Sequence, residues 1–196
     1  MRENKKMEEE TNNKHREWLR QHEGLRFLRE TTEENINRKW ELDYRDEKYD
    51  SSINMMEVGK KEIPIEYDEE SKITKGKKST KEQREKWIEE TITNLEKENM
   101  GYDLHDHKGK CPHLTIYLDR DATKEEKETI VSYYVPKESW EFADTSLYGV
   151  HLIAVPYATH WKYGTIKELV KKAIYNKHFQ DGKTAQKRKK LEETII

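Results

Sequence analysis

From Glu62 onward the apolar residues of this chain change period again and again, and that alternation limits the fold more than any other feature. "EIPIEYDEE" (62–70) alternates as a strand, with Ile63, Ile65 and Tyr67 on one face and Glu66 and Asp68 on the other. Trp87, Ile88, Ile92 and Leu95 then recur at helical spacing, in a segment that Ser79 or Thr80 would cap and Gly101 would stop. "YDLHD" and "HLTIYLD" read as two strands joined across "HKGKCP", a loop marked by Gly109 and Pro112. "TKEEKETIVSYYV" is the next helix, ended by Pro136. "SWEFAD" and "YGVHLIAVP" read as strands, and "TIKELVKKAIYNKHF" as an amphipathic helix. The first six elements follow a β-α-β-β-α-β plan, which predicts an α+β fold with an antiparallel-rich sheet and helices on one face.

The flanks are more polar. Residues 1–23 offer only Trp18 and Leu19 as apolar anchors, which predicts a frayed start and a short helix. "TTEENINRKW" suits a helix capped by Thr32, and "WELDYRDEKYD" an edge strand. "KITKGKKST" reads as a polar loop, and "KTAQKRKKLEETII" as a basic, helical tail. The expected division is an N-terminal segment at 1–50, a core at 51–175 and a tail at 176–196.

Composition narrows the class. Of 196 residues 40% are charged and 32% apolar, so the core has to be small, with five Trp and eleven Tyr supplying its bulk. The net charge of −2 gives no global basic field, so nucleic-acid binding would need a local basic face. One cysteine excludes a disulfide framework and a four-cysteine zinc module. No apolar run approaches the roughly 20 residues of a membrane span. A cytoplasmic protein without membrane contact is expected.

Two groups of residues could carry chemistry. Glu66 and Asp68, two apart on a strand, point the same way and offer hard oxygen ligands for a divalent ion; the plain alternative is an exposed polar edge. Asp144, at the end of "WEFAD", could be a third carboxylate, and three carboxylates with two metals suit in-line phosphoryl transfer. The second group is "HDHKGKCPH" (105–113). Its H-x-H-x3-C-x-H spacing fits no common zinc site. "HLT" (113–115) matches one copy of the 2H phosphoesterase signature, but the partner "HLI" (151–153) lacks the hydroxyl. Asp106 between His105 and His107 argues against an HUH nicking enzyme. Lys108, Gly109 and Lys110 ahead of His113 could clasp a triphosphate, with a solvated hairpin loop as the plain alternative.

Taken in order, these pieces resemble the archaeo-eukaryotic primase superfamily, the small catalytic primase subunit and related primase-polymerases. The resemblance covers roughly Glu62 to Val170: an acidic pair on a strand, a small residue–x–His turn before an apolar strand, an Asp closing a strand, then "HLIAVPYATHWKYGT". In that last segment Leu152, Ile153, Pro156, His160, Lys162 and Gly164 fall in register with the family's pattern. The resemblance implies an RRM-like catalytic core with helical extensions, joining nucleoside triphosphates on a single-stranded DNA or RNA template during replication. Glu66, Asp68 and Asp144 would hold two Mg²⁺ or Mn²⁺, His113 would contact the nucleotide phosphates, and His160 and Lys162 would lie near nucleotide or template. A large primase subunit or a helicase is the implied partner. The chain departs from the pattern with Glu66 for Asp, Cys111 for Ser, and His151 and Ala154 for two arginines. A catalytically silent, nucleic-acid-binding member is therefore the alternative.

Overall fold

Two compact units appear in the computed structural model, which describes residues 2–22, 24–29, 43–44, 51–106, 111–161 and 163–172. One unit is Met1–Gly59 with Leu152–Glu168, and the other is Lys60–His151 with Leu169–Ile196. Together the elements make an α+β protein in which every strand pair of defined register is antiparallel.

The first unit opens with α1 (Arg2–Gln21), longer than the short helix its two apolar anchors predict. Among the residues of this helix whose burial is described, His15, Trp18 and Leu19 are the buried ones, at the i, i+3, i+4 spacing of one narrow face. Strands β1 (Arg26–Leu28), β2 (Asp43–Tyr44) and β3 (Met55–Glu57) follow, and β7 (Leu152–Ala154) returns from far along the chain to pair with β3. The sheet order β2-β1-β3-β7 puts Asp43–Tyr44 at an edge, where its polarity predicts it. Trp18 and Leu19 pack with Ile53, Met56, Val155 and Ala158 to form the core. The turn out of α1 is held by Arg26, whose guanidinium donates to the carbonyls of Leu19 and His22 at 3.0 Å. Gly24, at φ +152°, is required there, because a Cβ would meet the Glu57 carbonyl at 2.7 Å. The helix expected from Thr32 lies outside the described residues.

In the second unit, strands β4 (Glu62–Ile65), β6 (His113–Tyr117), β5 (Gly101–Asp106) and β8 (Glu168–Lys172) lie side by side in that order. Helix α2 (Lys81–Lys97) starts at a capping box: the Thr80 hydroxyl accepts from the Gln83 N–H, and the Gln83 side chain accepts from the Thr80 N–H. Trp87, Ile88, Ile92 and Leu95 are buried, as their spacing predicts. What ends the helix is Asn99 rather than Gly101. Asn99 adopts φ 51°, and the Met100 N–H turns back to the Leu95 carbonyl; Gly101 is already in β5. Helix α3 (Lys124–Tyr134) repeats the capping box with Thr123 and Glu126.

Two expected elements take a different form. "SWEFAD" is a short 3₁₀ helix, Lys137–Phe142, followed by extended Ala143 and a second 3₁₀ turn at Thr145–Tyr148. Its alternation of Trp140 and Phe142 imitates a strand, but Pro136 starts a tight turn and Ser139 donates back to the Pro136 carbonyl. Within "TIKELVKKAIYNKHF", Glu168–Lys172 is the edge strand β8, where pairing beside β5 overrides local helical preference. Residues 173–196, including the basic "KRKK", lie outside the described residues.

Candidate functional site

Pleating sorts the second unit's sheet into two chemical faces. Cross-strand partners share a face, so Ile63, Ile65, Leu114, Ile116 and Tyr102 line one side. Trp87 packs near that side, its ring 5.3 Å from Tyr67 and 5.2 Å from Phe142. The other side is polar. Asp103 stands opposite Thr115, and its carboxylate accepts from the Tyr117 hydroxyl at 2.7 Å. One pair further on, His105 stands opposite His113. Continuing the Ile65–Leu114 register beyond β4 places Glu66 on the far side of His113, and His113 Nδ1 lies 3.0 Å from Glu66 Oε1.

Glu66, His113 and His105 thus form one row across three strands. His105 is buried, at 3% exposure. The signal for it was its parity with His113 across the hairpin, which can be read only once the register is known.

Asp144 reaches this edge by another route. The segment Glu141–Asp144 runs beside Glu66–Lys72: the Asp68 N–H donates to the Phe142 carbonyl (2.8 Å), the Lys72 N–H to the Glu141 carbonyl (2.8 Å) and the Asp144 N–H to the Glu66 carbonyl (3.0 Å). Tyr67 and Ala143 form an isolated bridge between the two segments. This backbone pairing, and not a regular strand, brings the third carboxylate to the first two. Asp144 also caps the second 3₁₀ turn, accepting from the Ser146 hydroxyl at 2.6 Å.

Lys72, in the loop read only as polar, lies between these acids. Its ammonium is 2.7 Å from Asp144 Oδ1 and 3.0 Å from Asp68 Oδ2. Burial works to lower its pKa, but the hydrogen bonds to Asp144 and Asp68 outweigh that and raise it. Asp144 mirrors this: burial would raise its pKa, and Lys72 with Ser146 brings it below the ordinary value. The loop itself is pinned by Glu141. That carboxylate accepts from Ser71 Oγ at 2.7 Å and from the Lys77 ammonium, while Ser71 Oγ accepts from the N–H groups of Ile73 and Thr74. No spacing rule would have singled out Lys72, because its importance comes from where the loop closes.

Three carboxylates are the right donors for a hard divalent ion. As the side chains stand, though, no three His, Cys, Asp or Glu residues converge on a metal position among the described residues. Glu66 faces His113, and Asp68 and Asp144 face Lys72. Cys111 is buried, and burial pushes its thiol up to about 11, with the nearby charge of Arg84 opposing. His151 is half-buried at the end of the second unit's main segment.

The remaining candidates are placed differently. His160 belongs to the first unit, where its ring stacks between Trp161 (5.7 Å) and Tyr163 (4.8 Å) and its Nδ1 accepts from the Tyr163 N–H. Lys108, Lys110 and Lys162 lie outside the described residues. No helix of the described residues is long and apolar enough to cross a membrane. No protein-family model matches the chain, and no curated protein matches its sequence.

Proposed function

We propose that this chain is a primase-like nucleotidyltransferase that joins nucleotides on a single-stranded template, with an RRM-like core formed around β4, β6, β5, α2 and α3. One observation carries the reading: Glu66 with Asp68, His113 and Asp144 come from three distant segments that pair with one another, His113 on Glu66 and Asp144 beside Asp68 through Lys72. Acids beside an imidazole suit phosphoryl chemistry, in which positioning and charge neutralisation supply most of the catalysis.

In this reading Glu66, Asp68 and Asp144 are the residues that would hold Mg²⁺ or Mn²⁺, which when bound activates a 3′-hydroxyl and neutralises the triphosphate. His113, aligned by Glu66, contacts the phosphates, and its imidazolium form balances their charge. By the same resemblance Lys108 and Lys110, just ahead of His113 in the sequence, would add cationic charge for the triphosphate. The resemblance would put His151 on the nucleotide side; the nucleotide or template role it implies for His160 and Lys162 falls on a segment of the first unit and is a separate proposal. Cys111 takes a serine's position as a weaker donor. A large primase subunit or a helicase would supply the template context, and replication in the cytoplasm is the setting.

The test is primer extension and dinucleotide synthesis with Mn²⁺ and nucleoside triphosphates. Asp68→Ala should abolish both while the circular dichroism spectrum stays unchanged, since Asp68 is exposed. Undiminished synthesis by a folded Asp68→Ala protein would remove the assignment.

A second reading is favoured by Lys72. A lysine between two of the three acids suits a catalytically silent member that binds nucleic acid. Such a protein would show no nucleotide-dependent Mn²⁺ binding, whereas the enzyme would.

A further inference from the structure

Residues 160–163, His-Trp-Lys-Tyr, interleave aromatic and basic side chains in the first unit, and the backbone folds them into a tight turn. Thr159 and Ile166 form an antiparallel bridge. Between them the His160 N–H donates to the Thr165 carbonyl (2.8 Å) and the Gly164 N–H to the His160 carbonyl (2.9 Å). Gly164 supplies the left-handed position, at φ +63°. The Tyr163 N–H donates to His160 Nδ1, which ties the imidazole to the turn.

The rings on this turn form a row. His160 stacks on Trp161 with 26° between their planes, and on Tyr163 with 29°. At the Trp161 end the row rests on a cation. Arg29, just after β1 and 1% exposed, holds its guanidinium 3.6 Å from the centre of the Trp161 ring. Burial lowers the Arg29 pKa to about 9, so the group is still cationic at neutral pH. At the other end is Tyr163, 41% exposed. Nearby in the same unit, the Lys14 ammonium lies 5.9 Å from the Tyr157 ring centre.

A row of rings that served only as packing would end inside the core, and this one ends in solvent. A cage for an organic cation would need the Trp161 ring to itself, and Arg29 already sits against it. What the Tyr163 end offers is one more place in a stack, which suits a flat, uncharged ring. A nucleobase has that shape, and the phosphates that come with it match the cations Arg29 and Lys14.

We propose that the Trp161–His160–Tyr163 row is a stacking platform for a base of single-stranded nucleic acid. Tyr163 is the ring that the base meets, and Arg29 supports the row from within. Every base has a flat π-face, so the platform grips a strand without reading its sequence. The proposal rests on the nucleotidyl-transfer reading only for the class of partner. It needs neither Glu66, Asp68 and Asp144 nor a metal.

Fluorescence anisotropy of a labelled oligothymidylate of about 12 nucleotides, titrated with the full chain in EDTA, tests this. Tyr163→Ala should weaken binding at least about fivefold. Tyr163→Phe keeps the ring and should bind as the wild type does. An abasic oligomer of equal length carries the phosphates without the bases, so the wild type and Tyr163→Ala should bind it alike. Four outcomes overturn the proposal: no binding by the wild type, undiminished binding by Tyr163→Ala, an equal loss in Tyr163→Phe, or the same loss on the abasic oligomer. A lower sedimented mass for Tyr163→Ala with oligomer binding unchanged also overturns it, and makes the row a contact between copies of this chain.

Primer extension run in parallel separates the two ideas. Weaker binding by Tyr163→Ala without synthesis by the wild type keeps the platform and removes nucleotidyl transfer. Synthesis by the wild type with undiminished binding by Tyr163→Ala does the reverse.

Discussion

Cys111 shows how burial can leave a thiol inert. Its thiol is buried, the Tyr67 N–H donates to it, and burial raises its pKa to about 11. Thiolate, the reactive form, is therefore scarce at neutral pH. Iodoacetamide should label Cys111 far more slowly in the native protein than in urea, and equal rates would show that the thiol is open. At this scale the sequence was informative about identity and weak about neighbours. The acids Glu66, Asp68 and Asp144 and the imidazole of His113 were candidates from order alone. Lys72 and His105 were not, because one depends on how a loop closes and the other on hairpin register.

Among the elements, the Ser71–Lys78 loop depends most on a single side chain. Glu141 is held down to about 2, first by its hydrogen bond from Lys77 and then by those from Ser71 and Thr74. A carboxylate with a depressed folded pKa stabilises the folded form above its unfolded value, here 4.5, and loses that contribution as pH falls toward the folded value. Glu141→Gln should therefore melt below the wild type at neutral pH, and the gap should close between about pH 4.5 and about 2 in thermal scans. A gap that is constant across that range would mean the loop is not anchored by charge.

The elements that were easiest to anticipate carry local instructions. Helices α2 and α3 each have a capping box and an apolar stripe, and β5–β6 is a hairpin between short apolar runs. Lys137–Phe142 and Glu168–Lys172 were harder. The first copies strand alternation within a proline-initiated turn, and the second is recruited as an edge strand by β5 against its own helical spacing.

For the whole molecule, the division into two compact units separates two hydrophobic cores. Leu19, fully buried, joins Trp18, Ile53, Met56, Val155 and Ala158, while Trp87 joins Tyr67 and Phe142 in the other unit. Leu19→Ala should cost about 2–5 kcal/mol in the first unit. Hydrogen exchange should then speed up in β1, β3 and β7 and stay slow in α2, β5 and β6. Uniform loss of protection would show that the two cores unfold as one.

The first unit is also assembled from both sides of the second, and this matters during synthesis. Helix α1 and strands β1 to β3 leave the ribosome early, but Ile153, Val155 and Ala158, which complete their sheet and core, are made only after the whole Lys60–His151 segment. Trp18, Leu19 and Met56 must therefore wait, uncovered by their final neighbours, while β4, α2, β5, β6 and α3 are translated and packed. The last-made half of a core protects the first-made half, so the nascent chain is most exposed to aggregation and to holding chaperones just before Leu152 emerges.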